Sequence, residues 1–130
     1  MTDRELIEMA KAASGHAYSP YSRFQVGAAL ECADGTVVTG CNVENAALGC
    51  TICAERTAVC KAVSMGKRSF IRIAIYADSP DYCMPCGTCR QVLHEFAPNI
   101  EVLCVRGDGR YISCPLKDLL PLSFGQAFLQ

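Results

Sequence analysis

Two short segments, Cys53-Ala54-Glu55 and Pro85-Cys86-Gly87-Thr88-Cys89, lie far apart in the chain, yet their chemistry makes sense only if they meet. That requirement constrains the fold more than any other feature, because two segments that read as helix starts must converge on one point. Three cysteines in this pattern suit zinc, which takes thiolates in tetrahedral geometry. Structural zinc sites close all four positions with protein ligands, whereas catalytic sites keep one open for water or substrate. Here Cys53, Cys86 and Cys89 leave one position open, and Glu55 stands two residues after a ligand. Zinc prefers sulfur to carboxylate when thiolates are available, so Glu55 reads as a base and not as a fourth ligand. Zinc lowers the pKa of bound water from near 16 to about 7, so the pattern implies metal-assisted hydrolysis at neutral pH.

Zinc with three thiolates carries a net negative charge, which opposes ionisation of the water, so positive potential is expected close to the sulfurs. Helix N-termini at Cys53 and at Cys86/Cys89 would supply part of it. Arg56 lies three residues after Cys53 and Arg90 directly after Cys89, and Arg56 in particular is expected to donate hydrogen bonds to ligand sulfur. Two other readings compete. A closed four-cysteine site would use Cys50/Cys53 and Cys86/Cys89, but the separation of the pairs exceeds the usual ribbon spacing, and a chain of this length has core enough without a metal staple. A thioredoxin-like pair at Cys86/Cys89 leaves Cys53, Glu55 and Arg56 unexplained.

At 130 residues, 51% of them hydrophobic and 19% charged, the chain is expected to form one domain, residues 1–130, with a substantial core. The scarcity of charge suggests that subunits cover part of the surface. A net charge of −1 without a Lys/Arg block argues against a nucleic-acid partner and for a small substrate. No charged-then-apolar leader and no apolar run of membrane length occur in the sequence, so a cytoplasmic location without membrane association is expected. The ten cysteines are therefore read as reduced, with Cys32, Cys41, Cys60, Cys104 and Cys114 as small buried hydrophobes.

Periodicity orders the elements. Leu6, Met9, Ala10, Ala13 and Ala17 recur at helical steps behind a Thr2/Glu5 capping box. Pro20 forces a turn. Strands are expected from Phe24 to Cys32 and from Val37 to Cys41, joined by the hairpin turn Ala33-Asp34-Gly35-Thr36, with a loop from Asn42 to Thr51. A helix from Cys53 to Met65 carries Ala54, Ala58 and Ala62 on one stripe, small enough for close backbone approach, and Gly66 ends it. There follow a strand from Ile71 to Ala77, the metal-binding turn, a helix from Gly87 to Phe96, strands from Ile100 to Val105 and Tyr111 to Cys114, and a short helix from Leu116 to Leu120. Gly107-Asp108-Gly109 makes the last hairpin turn, which accounts for the adhesion-like tripeptide beginning at Arg106. Helices alternating with strands after an opening hairpin predict an α/β sandwich with a mixed sheet.

Loops at strand ends should complete the site. Packing explains Phe24 as well as a base-contacting wall does. Asn42 and Glu44, two apart in extended chain, point the same way and could grasp a vicinal diol; a polar turn is the plainer reading. His16 and His94 lack a metal-ligand partner at helical spacing and read as structural or solvated, with His94 at the surface. A solvated turn suffices for Asp78 and Asp81.

The segments Ser19-Pro20-Tyr21-Ser22-Arg23-Phe24-Gln25-Val26-Gly27-Ala28-Ala29-Leu30, Gly40-Cys41-Asn42-Val43-Glu44-Asn45-Ala46, Cys53-Ala54-Glu55-Arg56-Thr57-Ala58 and Pro85-Cys86-Gly87-Thr88-Cys89-Arg90-Gln91 resemble the small homotetrameric cytidine deaminases over essentially the whole chain. The resemblance implies a three-layer α-β-α fold around a mixed, mostly five-stranded sheet, with one zinc per chain on Cys53, Cys86 and Cys89. It implies attack of zinc-bound hydroxide on C4 of cytosine, with Glu55 passing a proton to N3 and then to the departing ammonia. Phe24 would contact the base, Asn42 and Glu44 the ribose 3′-hydroxyl, and the Ala54 backbone N–H the base carbonyl. Cytidine and deoxycytidine would yield uridine and deoxyuridine in pyrimidine salvage. In such tetramers neighbouring chains complete each site, here through the loop at Ala46 and Leu48 and the tail at Phe124. Leu48 stands where most members carry tyrosine, and Met84 replaces a common serine; both departures leave the zinc chemistry intact and bear on substrate preference and subunit coupling. A carboxylate beside the sugar and the lack of a basic cluster disfavour nucleotides. Two rivals remain: a deaminase of a nucleoside antibiotic such as blasticidin S, and a non-enzymatic zinc protein that binds RNA.

Overall fold

Strand β1 (Val26–Cys32) is buried along its whole length, which a strand achieves only between layers on both faces. The computed structural model, which describes residues 1–129, shows those layers. β1 pairs antiparallel with β2 (Val37–Cys41) on one side and with β3 (Phe70–Ala77) on the other. β3 runs parallel to β4 (Glu101–Val105), which pairs antiparallel with β5 (Tyr111–Pro115), so the five-stranded mixed sheet has the order β2-β1-β3-β4-β5.

Helix α1 (Asp3–Ser14) starts with the expected capping box, Thr2 and Glu5 bonding reciprocally. It covers one face through Leu6, Ile7 and Ala10, packed against Ala29, Ala74 and Leu103. The opposite face carries α2 (Ala54–Ser64), α3 (Gly87–Phe96) and the short α4 (Leu116–Leu119) over the larger core, where Ala58, Val59 and Leu93 meet Leu30, Ile73 and Ile75. This is the α/β sandwich with a mixed sheet that the element order predicts, in the three-layer α-β-α form that the family resemblance implies.

Two glycines set the spacing between layers. A Cβ on Gly27 would sit 1.9 Å from the Ala10 carbonyl oxygen, and one on Gly40 would lie 2.5 Å from the Ala58 nitrogen and 2.6 Å from the Ala54 oxygen. The alanine stripe of α2 thus rests directly on the backbone of β2, which holds the start of α2 close to the sheet. Gly35 at φ +90° and Gly109 at +89° form the two hairpin turns.

Several expectations need correction. Phe24 precedes β1 and is 47% exposed, since the chain is still turning there. The stretch after β2 is less irregular than expected: Val43 pairs with Ile52 and with Tyr18 in isolated bridges, and Leu48–Cys50 forms a 3-10 turn. Cys32 and Cys104 are buried, but Cys41 and Cys114 are only half-buried and Cys60 is exposed, because α2 turns Cys60 away from the sheet. His94 is half-buried under the tail, within 3.1 Å of the Ser123 hydroxyl.

Candidate active site

Both metal-binding segments sit at helix starts. Cys53 is the N-cap of α2 and Cys86 that of α3, so both lie where unpaired backbone N–H groups and the helix dipole favour thiolate. The Cys89 backbone N–H donates to Cys86 Sγ at 3.4 Å. Because β3 lies between the two segments in sequence and α2 and α3 cover the same face, the two caps converge. The donor atoms of Cys53, Cys86 and Cys89 all lie within 4.8 Å of one another, the one such group of three among the described residues. Cys53 Sγ and Cys86 Sγ are 3.8 Å apart. Sulfurs bound to zinc at about 2.3 Å span about 3.8 Å along a tetrahedral edge, so this donor set fits the metal. Cys50 is exposed and outside the cluster, which removes the closed four-cysteine arrangement.

Arg56 Nη2 donates to Cys53 Sγ and to the Thr51 carbonyl, both at 3.4 Å. Hydrogen bonds from Cys89 and then Arg56 hold the Cys53 thiol well below its usual range, and the same bond to Cys53 pushes Cys89 upward. Arg90 does not touch sulfur. It donates from Nε to the Pro85 carbonyl and from Nη1 to the Leu119 carbonyl, each at 2.8 Å, bracing the turn that bears Cys86.

A cleft of about 260 Å³ opens beside the sulfurs, with Phe24, Asn42, Glu44, Ala54 and Glu55 on its walls. Glu55 is 4% exposed, and its carboxyl is pushed up to about 7, first by burial and then by the neighbouring Cys53 charge. A bound dication would act in the opposite direction. At the far end, Asn42 accepts from the Val26 N–H at 2.9 Å and donates to the Phe24 carbonyl at 2.7 Å. Glu44 accepts from the Tyr21 and Ser22 N–H groups at 3.0 and 3.1 Å and from the Ser22 hydroxyl. The Ser22 bond leads in holding the Glu44 carboxyl below the usual range. Ala46 and Leu48 are exposed beyond this wall, Leu48 by 71%. Phe124 is 55% exposed and stacks on Phe128 at 5.3 Å, with its carbonyl accepting from Gln91 Nε2. Neither Leu48 nor Phe124 lines the cleft of its own chain.

A cytidine deaminase from Sporosarcina psychrophila is 54% identical to this chain, over 97% of it and 93% of the relative. The family model for the cytidine and deoxycytidylate deaminase zinc-binding region matches residues 1–105. The chain belongs to the cytidine deaminase family. The crystal structure of a cytidine deaminase from Burkholderia pseudomallei superposes with a TM-score of 0.93 at 47% identity, covering 95% of this chain and all of the other. A blasticidin-S deaminase from Bacillus cereus is 30% identical, over 94% of this chain and 91% of its own length, a more distant match than these two cytidine deaminases. The family's zinc-binding region contains all three cysteines of the cluster, so zinc is the metal that this donor set holds.

Some cleft residues were missed by sequence reasoning. Ser22 links Glu44 to the turn carrying Phe24, accepting from the Phe24 N–H at 3.0 Å. Its signal was the polar turn after Pro20, where Arg23 adopts φ +59°. Cys83 also lines the cleft, a neutral thiol pushed up to about 12 by burial. Met84 beside it lines the cleft as well.

Proposed function

We propose that this chain hydrolytically deaminates free cytidine and deoxycytidine to uridine and deoxyuridine with release of ammonia. The observation that carries the reading is a buried Glu55 carboxyl in a cleft whose wall continues into a three-cysteine zinc cluster. Zinc held by Cys53, Cys86 and Cys89 supplies Lewis acidity that makes water nucleophilic at neutral pH. Glu55 takes one proton from the attacking water and delivers it to N3 of the base; it then takes the second proton from the hydroxyl left on C4 and passes it to the amino nitrogen as the C4–N bond breaks and the C4=O bond forms. Burial raises this carboxyl, which favours its holding a proton between the two transfers, while a bound dication would draw it back down. The Ala54 backbone N–H, free at the start of α2, holds the base carbonyl. Phe24 covers the ring. Asn42 and Glu44 hold the ribose 3′-hydroxyl, each retaining a lone pair or an N–H beyond its internal bonds.

The whole of residues 1–130 acts as one catalytic domain in this reading, assembled as a homotetramer in which Ala46, Leu48 and Phe124 reach neighbouring sites. The enzyme works in pyrimidine salvage in the cytoplasm. No helix among the described residues is long and apolar enough to cross a membrane. The test compares the parent with Glu55→Gln at matched zinc content, following loss of cytidine absorbance and release of ammonia. Turnover by the parent that is lost in a zinc-replete variant supports both assignment and role. A zinc-loaded parent that spares cytidine and deoxycytidine but consumes blasticidin S would move the substrate to the antibiotic nucleosides.

A further inference from the structure

The carbon of cytosine that carries the amino group has two unlike flanks: N3, which has a lone pair, and C5, which carries only hydrogen. Two chain segments that carry the sulfurs also contribute lining residues to the cleft. From the start of α2 come the Ala54 N–H and the Glu55 carboxyl; from the loop between β3 and α3 come Cys83 and Met84, a thiol and a thioether. Glu44, the other carboxylate of the cleft, is tied to Tyr21 and Ser22. A group that gives its proton to N3 must stand on the N3 flank. With C4 at the sulfurs and the sugar toward Asn42 and Glu44, the C5 edge faces away from the start of α2, and the loop bearing Cys83 and Met84 is the other sulfur-bearing segment that lines the cleft. We propose that Met84, backed by Cys83, is the wall against C5 and sets the size of the substituent accepted there, an inference that rests on the deaminase reading above.

The wall is fixed at its base and loose at its tip. The Cys83 N–H donates to the Val105 carbonyl at 3.2 Å, anchoring the loop to β4. Pro85 follows, is buried, and disfavours a helical backbone at Met84. The Met84 side chain itself is 43% exposed. Among the described residues neither sulfur takes part in a hydrogen bond, so nothing polar has to break when the side chain moves. Methionine's three rotatable bonds let it fill or vacate a small apolar gap. A C5 methyl group is accommodated by displacing the thioether outward, whereas a rigid ring at this position would refuse it.

The experiment measures kcat/KM for 5-methylcytidine divided by kcat/KM for cytidine in the zinc-loaded parent, Met84→Ala and Met84→Phe. The ratio is expected to fall about tenfold or more in Met84→Phe and not to fall in Met84→Ala, the scale at which a pocket discriminates one methyl group. Zinc content and thermal stability of both variants establish that the site is intact. Equal ratios in the three proteins, with cytidine turned over, overturn the C5 wall alone. A parent that leaves cytidine untouched overturns the deaminase reading and this inference with it.

Discussion

Arg56 balances the charge of the site. Zinc and three thiolates sum to −1, and the guanidinium against Cys53 Sγ brings the cluster to neutrality without occupying a ligand position. Its geometry is set by the Thr51 carbonyl, which accepts from the same Nη2. Glutamine in its place can donate a hydrogen bond but carries no charge, so Arg56→Gln is expected to weaken zinc binding by about 10- to 100-fold. Competition with a metal chelator measures this, and unchanged affinity would show that Arg56 acts elsewhere. The convergence of Cys53, Cys86 and Cys89, with Glu55 buried beside them and Arg56 against a sulfur, was legible in the sequence because a metal reading of those residue types requires the two segments to meet. Arg90 was not, for it directly follows a ligand yet binds carbonyl oxygens of Pro85 and Leu119. Which acceptor a long side chain finds depends on loop paths that no local pattern specifies. The same holds for Ser22, whose bond to Glu44 spans the whole β1–β2 hairpin.

Elements were legible to the extent that one face of each had to be apolar. The alanine stripe of α2 announced a close neighbour, but only the folded chain identifies it as Gly40 on β2. Both layer-setting glycines should tolerate no side chain. Gly27→Ala and Gly40→Ala are each expected to destabilise the fold by roughly 1–3 kcal/mol or more, since the added Cβ meets backbone that cannot rotate away. Their effects on the metal should differ. Gly40→Ala displaces the first turns of α2, whose cap is Cys53, and should lose zinc; Gly27→Ala pushes on α1, which bears no ligand. Denaturant midpoints and zinc stoichiometry on both variants check this, and equal zinc retention would contradict the link between layer spacing and site. The β1–β2 turn offers a pH test. The hydrogen bond from Lys67 leads in lowering the Asp34 carboxyl from 3.8 to about 2. A carboxyl lowered by folding stabilises the fold above its unfolded pKa, and that contribution disappears as pH falls through the folded value. Asp34 should therefore titrate near 2 in the parent and move up toward 3.8 in Lys67→Met, as read by carboxyl NMR. No movement would show that the ion pair does not form in solution, as is common for exposed pairs.

The molecule as a whole presents apolar side chains that a lone chain has no means to cover. Leu48 is 71% exposed beyond the cleft, and the tail carries Phe124 at 55%, Phe128 at 69% and Leu129 at 79%. The tail is nevertheless held in place on α3: Gln91 donates to the Phe124 carbonyl, Ser123 meets His94, and Gln126 donates to Glu95. An ordered tail that leaves its aromatics facing outward is shaped to meet another surface, and the proposed tetramer supplies one. Burial of each large apolar side chain contributes about 1.5–3 kcal/mol, so loss of several per chain should weaken association by orders of magnitude. Ending the chain at Pro121 removes Phe124, Phe128 and Leu129 while keeping Cys53, Cys86, Cys89 and Glu55. The shortened protein is expected to sediment as a smaller species, to retain zinc, and to lose most of its kcat/KM for cytidine because sites no longer receive the neighbour's Phe124. Two results would refute the shared site: a parent that is already monomeric and active, or a shortened chain that keeps both its size and its activity. If the shortened protein kept its size but lost activity, the tail would complete the site without building the assembly, and the subunit contacts would have to lie in the Ala46–Leu48 loop and the rest of the surface.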